Sequence, residues 1–432
     1  MSTNSFVMDY KLYTLHSGLR VLTVPMPHLE SATVALWVKT GSRYEEEKIS
    51  GISHFLEHMV FKGSVKRPSA KEISEAVDSI GGEFNAATSK DWTNFYIKAR
   101  AENLAIAFDV LSDMVLNPLL KPEEIEKEKG TILQEIAMYE DTPMIKIGEV
   151  FEELAFSGNS LSWDTAGTAE SVKRIAKSDF VRYRKRHYYP EKMIISVAGG
   201  VTEGNVLKLT EKYFGKLDLQ SKSKSKFKNF ETKQDKPQIK LKTKKSDQAH
   251  LILGFMADGR NYKGKYAQGL LAVILGGGMS SRLFIEVREK RGLAYSVKTA
   301  VERYQETGYL GTYAGVNPKK VDQAVGIILD EHYRLANCVK RIANSELLKA
   351  KEFLKGHLAL ALEDTKEVSA FFTDQALFLA EILTPEEIFK KVDGVSLDEV
   401  NFEAKRLFVP SRLNLAVIGD YNDPERFQKL LK

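Results

Sequence analysis

The chain reads as an α+β protein of two homologous domains, each a largely antiparallel sheet packed with helices, and three observations predict this. Its 432 residues exceed what one ordinary core organises. Short apolar and β-branched runs such as ATVALWVKT, TNFYIKA and KMIISVAGG alternate with long stretches of helical period. Landmarks of the first half recur, in the same order, in the second.

With 43% hydrophobic and 28% charged residues, the composition is that of a folded globular chain. No stretch reaches the roughly 18 consecutive apolar residues that predict a membrane span. The start, MSTNSFVMDYKLYTLHSGLR, has neither the basic-then-apolar order of a signal peptide nor the Arg-rich character of a transit peptide. A cytoplasmic location without a membrane partner is therefore expected. Cys338 is the single cysteine, which excludes an internal disulfide, fits a reducing compartment and predicts an inert thiol.

The net charge of +5 is small for this size. Lysines gather in LDLQSKSKSKFKNFETKQDKP, a run too polar to bury much surface, which reads as a solvated linker. Placed at 219–240, it separates an N-terminal domain, 1–218, from a C-terminal one, 241–432. Binding of phosphate, acidic lipid or nucleic acid through this run is the weaker reading, and no nucleic-acid partner is expected.

The repeat is legible at three places. ALWVKTGSRYEEE carries Gly41 and Tyr44, and LILGFMADGRNYKGK carries Gly259 and Tyr262, each 218 positions on. HYYPEKMIISVAGG and LFVPSRLNLAVIGD place Pro190 against Pro410 and Gly199 against Gly419, an offset of 220. Between them YEDTP from Tyr139 matches LEDTK from Leu362, an offset of 223. Within each half, strands bounded by Gly and polar turns frame helices such as SAKEISEAVDSIG, AENLAIAFDVLSDMVL and KPEEIEKEKGTILQEIAMYE, the last with Pro122 in its first turn.

The chemistry begins at HFLEHMVFKG, where two of the eight histidines stand four apart. On a helix, positions i and i+4 share a face, so His54 and His58 aim at one spot with Glu57 beside them. Neutral imidazole is a common zinc donor, and catalytic zinc sites take three protein ligands. His-x-x-Glu-His reverses the His-Glu-x-x-His order with the same consequence, two ligands one turn apart and a carboxylate placed to act as base on the attacking water. A third ligand is needed. Glu128 and Glu135, seven apart on a helix face that also holds Ile132 and Ile136, are both candidates, because a carboxylate among apolar residues needs a partner. Glu123, Glu124 and Glu126 read as a solvent-facing stripe.

These motifs resemble the pitrilysin or insulinase family of zinc metallopeptidases, the inverzincins, and in particular its short two-domain members related to the mitochondrial processing peptidase β subunit and its bacterial relatives. The resemblance covers essentially the whole chain. It implies Zn²⁺ as cofactor, with Glu135, 77 positions after His58, as third ligand and Glu128 as the carboxylate that supports the site. GGEFNAATSKDWTNFYI resembles the family's active-site edge strand, and SSRLFIEVREKRGLAYSV the signature of its second domain. By the same likeness Arg288 and Tyr295 reach substrate and stabilise the oxyanion, roles that suit a guanidinium and a phenol. The plainer reading of Arg288 is an ion pair with Glu289. Asn85, Ala86 and Ala87 would let a peptide add as a further strand.

At the offsets of the repeat, His54, Glu57 and His58 fall opposite Ala272, Leu275 and Gly276, and Glu135 opposite Leu358, so the second half is not expected to bind metal. Together these readings predict a zinc-dependent endopeptidase for unfolded or short peptides, its two domains facing each other as a clamshell. Glu57 would be the base, and the chains are expected to pair as homodimers. The alternative is a processing-peptidase-like subunit active only with a partner subunit.

Overall fold

The computed structural model describes residues 8–217, 227–337, 339 and 341–431. The readings placed on Cys338 and on linker residues 219–226 lie outside the described residues. In chain order the first half holds β1 (Lys11–Thr14), β2 (Arg20–Pro25), β3 (Ser31–Val38), α1 (Ile52–Val60), α2 (Ala70–Asp78), β4 (Glu83–Thr88), β5 (Thr93–Arg100), α3 (Leu104–Leu116), α4 (Pro122–Asp141), α5 (Pro143–Ala155), α6 (Ala169–Arg174), α7 (Lys177–His187), β6 (Met193–Gly199) and α8 (Glu203–Phe214). The second holds β7 (Gln238–Thr243), β8 (Ala249–Asp258), α9 (Lys265–Gly276), β9 (Ala294–Arg303), β10 (Thr307–Val316), α10 (Val321–Ala336), α11 (Asn344–Ala361), α12 (Thr365–Phe378), α13 (Pro385–Gly394), α14 (Leu397–Leu407), β11 (Leu413–Gly419) and α15 (Pro424–Leu430). A π-helical turn covers Phe284–Glu289. Among the described residues no helix is long and apolar enough to cross a membrane.

The chain forms two compact units. Unit 1 comprises Met1–Ala137, Trp163–Phe227 and Ala359–Glu386; unit 2 comprises Met138–Ser162, Lys228–Leu358 and Glu387–Lys432. The sheet of unit 1 runs β1-β2-β6-β3-β5-β4 and that of unit 2 β7-β11-β8-β10-β9. Within them β2 pairs with β6, and β7 with β11, in parallel, and every other pairing is antiparallel. Apart from the added edge strand β1 the two orders are the same. The sequence repeat is thus a repeat of topology.

Its landmarks have matching structural duties. Gly41 and Gly259 each press against the turn joining the last two strands of their sheet, where a Cβ would lie 2.1 Å from Ser89 O and 2.5 Å from Gln305 O. No other residue fits so close an approach. Pro190 and Pro410 open the 3₁₀ turns ahead of β6 and β11, fixing φ at the entry to each strand.

Alternation along the strands divides each sheet into two buried faces. In unit 1, Val34, Leu36, Phe95 and Ile97 meet Phe55 of α1 and Phe108 and Leu111 of α3 in one core. The opposite face is backed by α12 through hydroxyl pairs, Thr33 with Thr365 at 2.8 Å and Ser196 with Ser369 at 2.9 Å. In unit 2, Leu251, Leu253 and Phe255 face α9, α10 and α14, while Ile252 and Met256 face Phe151 and Phe156, α5 and the residue after it.

The helices α5 and α12 follow YEDT and LEDT and so hold the same place in the repeat. Each backs the sheet formed by the other half of the chain. A division at 219–240 separates the two sheets but not these two helices. The preceding helices, α4 of 20 residues and α11 of 18, extend about 30 and 27 Å at 1.5 Å per residue. The described end of the Lys-rich run is largely exposed, with Phe227 and Phe230 half-buried. Phe227 covers the guanidinium of buried Arg43 at 3.7 Å, Phe230 packs edge-on against Phe156 at 5.1 Å, and β7 has begun by Gln238.

Candidate metal centre

The helix that carries the two histidines is fixed by its apolar stripe. Ile52, Phe55, Leu56, Met59 and Val60 recur at i, i+3, i+4, i+7 and i+8 and are buried. His54, Glu57 and His58 are therefore left on the face turned away from the core. Gly51 precedes the helix at φ 92°, a left-handed conformation, and a Cβ there would lie 2.4 Å from Ala166 O. Buried Glu45 caps the helix, taking the N–H of Gly51 at 2.6 Å and that of Ser53 at 2.8 Å. Burial pushes its carboxyl up to about 7, against the lowering effect of these donors. Ser53 Oγ lies 2.6 Å from the Tyr183 hydroxyl, which ties α1 to α7.

Across from this face stands α4. Its buried residues are Ile125, Glu128 and Ile132, and Glu135 is half-buried two turns beyond Glu128. Glu123 and Glu126 are exposed and Glu124 half-exposed, close to the stripe expected of them. The donors of His54, His58 and Glu135 converge, all within 4.8 Å of one another, and this is the group among the described residues able to hold a metal ion. His54 Nε2 and His58 Nε2 are 3.2 Å apart, and each is 3.6 Å from Glu135 Oε2.

The donor set fits zinc, two imidazoles and one carboxylate whose ligand atoms face a common point. Burial, helped by the His58 ring, holds His54 down at about 4, although Glu135 works the other way. His54 is therefore neutral at pH 7, the form that ligates metal. Glu128 takes the supporting position, with Oε1 2.8 Å from His58 Nδ1 and Oε2 2.6 Å from Lys62 Nζ. Burial works to raise its carboxyl, but the hydrogen bonds of His58 and Lys62 prevail and hold it below the usual range.

Glu57 is on the same helix face, and burial raises its carboxyl above the ordinary range. The Thr88 hydroxyl donates to Glu57 Oε2 at 2.5 Å and opposes that shift. Thr88 ends β4, the edge strand of the sheet, which also presents Asn85, Ala86 and Ala87. Asn85 Oδ1 accepts the Ala86 N–H at 2.8 Å, which shows that this amide is turned away from β5. Sequence reasoning missed Lys62, Thr88 and Glu45. Lys62 alone carried a signal, standing four residues beyond His58, one helical turn on.

Arg288 and Tyr295 belong to unit 2, where the structure brings them together. The Arg288 guanidinium lies 4.8 Å from the Phe284 ring centre and 5.2 Å from that of Tyr295. Its Nε is also 3.8 Å from Glu289 Oε1, so the ion pair of the plainer reading is present beside the stack. Tyr295 is 75% exposed at the start of β9. In this unit the repeat's metal positions hold no donors, since Ala272, Leu275 and Gly276 are all buried in α9 and Leu358 is half-buried in α11. A Cβ on Gly276 would lie 2.4 Å from Thr299 Oγ1, so the helix rests directly on β9.

Residues 20–169 match the family model described as Insulinase (Peptidase family M16), and residues 174–354 match the one described as Peptidase M16 inactive domain. An uncharacterized zinc protease of Streptomyces coelicolor is 35% identical over 95% of this chain and 90% of its own length. The zinc protease YmxG of Bacillus subtilis is 36% identical over 92% of this chain and 95% of its own. Among solved structures a protease from Helicobacter pylori superposes with a TM-score of 0.88 at 24% identity, over 95% of this chain and 100% of the other, a likeness of fold. Two family models in tandem and relatives this similar over nearly their full length make the chain a member of the insulinase family, peptidase family M16.

Proposed function

We propose that the protein is a zinc-dependent endopeptidase that hydrolyses unfolded or short peptides. The observation that carries this reading is the convergence of His54, His58 and Glu135 with Glu57 beside them on one helix. Zinc held by those three residues supplies a Lewis acid that polarises the scissile carbonyl and acidifies water. The names of the curated relatives, zinc proteases, support the choice of metal.

The chain's own residues perform the rest. The substrate enters as an extended strand along β4, the edge strand that presents Asn85, Ala86 and Ala87. Glu57 accepts a proton from the attacking water as oxygen bonds to the carbonyl carbon, then delivers it to the amine nitrogen as the C–N bond breaks. Thr88 fixes the carboxylate for both transfers. Arg288 and Tyr295 hold the peptide and donate to the oxyanion. All these groups lie on one chain, which favours activity without a partner subunit.

The test is metal analysis of the purified chain with a peptide-cleavage assay before and after a chelator. The reading expects one zinc per chain, loss of cleavage on chelation and recovery when zinc is returned. Cleavage unaffected by removal of all metal contradicts it.

A further inference from the structure

Lys62 stands in the turn just past α1, four residues after His58, with its N–H on Met59 O at 3.2 Å. Its ammonium reaches Glu128 Oε2 at 2.6 Å, and the other oxygen of that carboxylate meets His58 Nδ1 at 2.8 Å. We propose that Lys62 is a positioning residue of the metal centre, acting through Glu128 to hold the ring and tautomer of His58. The inference rests on the zinc site proposed above and extends it outward by one residue.

An ionised carboxylate only accepts hydrogen bonds, so His58 must carry its hydrogen on Nδ1 when it bonds Glu128. Its Nε2 lone pair then points where His54 Nε2 and Glu135 Oε2 converge, 3.2 and 3.6 Å away. The tautomer depends on the carboxylate, and the carboxylate depends on Lys62. The Glu128 side chain is only 5% exposed, on a helix face whose other buried members are Ile125 and Ile132. Without the ammonium, Oε2 would be a buried anionic oxygen with no cation beside it, a costly arrangement. Rotation of the side chain toward water relieves that cost and releases His58. Most ion pairs at a surface contribute little. This one differs because the second oxygen of the same buried carboxylate orients a ligand, and such outer partners change metal affinity although they never touch the metal.

The experiment measures zinc affinity of the full chain by competition with a chromophoric chelator, for the wild type, K62M, K62R, E128Q and the K62M/E128Q pair. Zinc binding by the wild type checks the site itself. If the wild type binds none, the metal reading fails before Lys62 is questioned. Given binding, K62M should weaken zinc on the order of 10-fold or more, while K62R, which keeps a cation within reach of Glu128, should stay near the wild type. In the E128Q background, K62M should add no further loss, because its whole effect passes through that carboxylate. Wild-type affinity in K62M overturns the proposal. So do equal losses in K62R and K62M, or K62M and E128Q losses that multiply in the pair.

Discussion

Tyr295 is the residue whose proposed part in the chemistry has the sharpest consequence. Its hydroxyl is the only group removed by Tyr295→Phe, and the ring that stacks on Arg288 at 5.2 Å remains. If the hydroxyl stabilises the oxyanion, kcat/KM should fall on the order of 10²-fold with zinc content unchanged. Steady-state kinetics with metal analysis checks this, and a rise in KM at constant kcat would assign the group to peptide binding alone. At this scale the sequence reveals what local geometry dictates. His54, Glu57 and His58 were legible because helical period alone puts them on one face. Thr88 and Glu45 were not, because their duties arise only when β4 and the segment before α1 fold against that helix.

Among the elements, α1 is the one on which the site depends, and Glu45 anchors its first turn. The group is raised from an ordinary 4.5 to about 7 by burial, so the folded state binds its proton more tightly than the unfolded state does. Stability from this group is therefore fullest below pH 4.5 and is lost as pH rises toward 7. Between pH 5 and pH 8 the loss should be on the order of 2 kcal/mol. Urea unfolding of metal-free wild type and Glu45→Gln at the two pH values tests it. The variant should gain on the wild type as pH rises, whereas parallel behaviour would mean that Glu45 titrates alike in both states. Strands and helices were readable in order from apolar, β-branched runs and helical period, as β3, β5 and α4 illustrate. The π-helical turn under Arg288 was not, because an i+5 hydrogen bond leaves no period of its own in six residues.

For the whole molecule, the duplication was legible and the ownership of α5 and α12 was not. Matching offsets reveal which segments correspond, but only packing determines which sheet each helix covers. The consequence concerns cutting the chain. Residues 1–218 alone lack α12, leaving Thr33, Ser196 and the rest of that sheet face without their partner. Residues 241–432 alone lack α5, uncovering Ile252 and Met256. Each half expressed by itself should unfold without cooperativity, and coexpression of the two should restore a single folded, zinc-binding protein. Circular dichroism melts of the separate and joined halves check this, and a cooperative transition in 1–218 alone would contradict it.

The central claim, that Glu57 is the base beside a zinc held by His54, His58 and Glu135, is tested most directly by Glu57→Gln. The amide keeps the size of the side chain and its contact with Thr88 but cannot accept the proton. Zinc content and peptide turnover, measured on the same preparation, should give one zinc per chain and no detectable hydrolysis. Hydrolysis at the wild-type rate, or loss of the metal with the activity, would contradict the assignment.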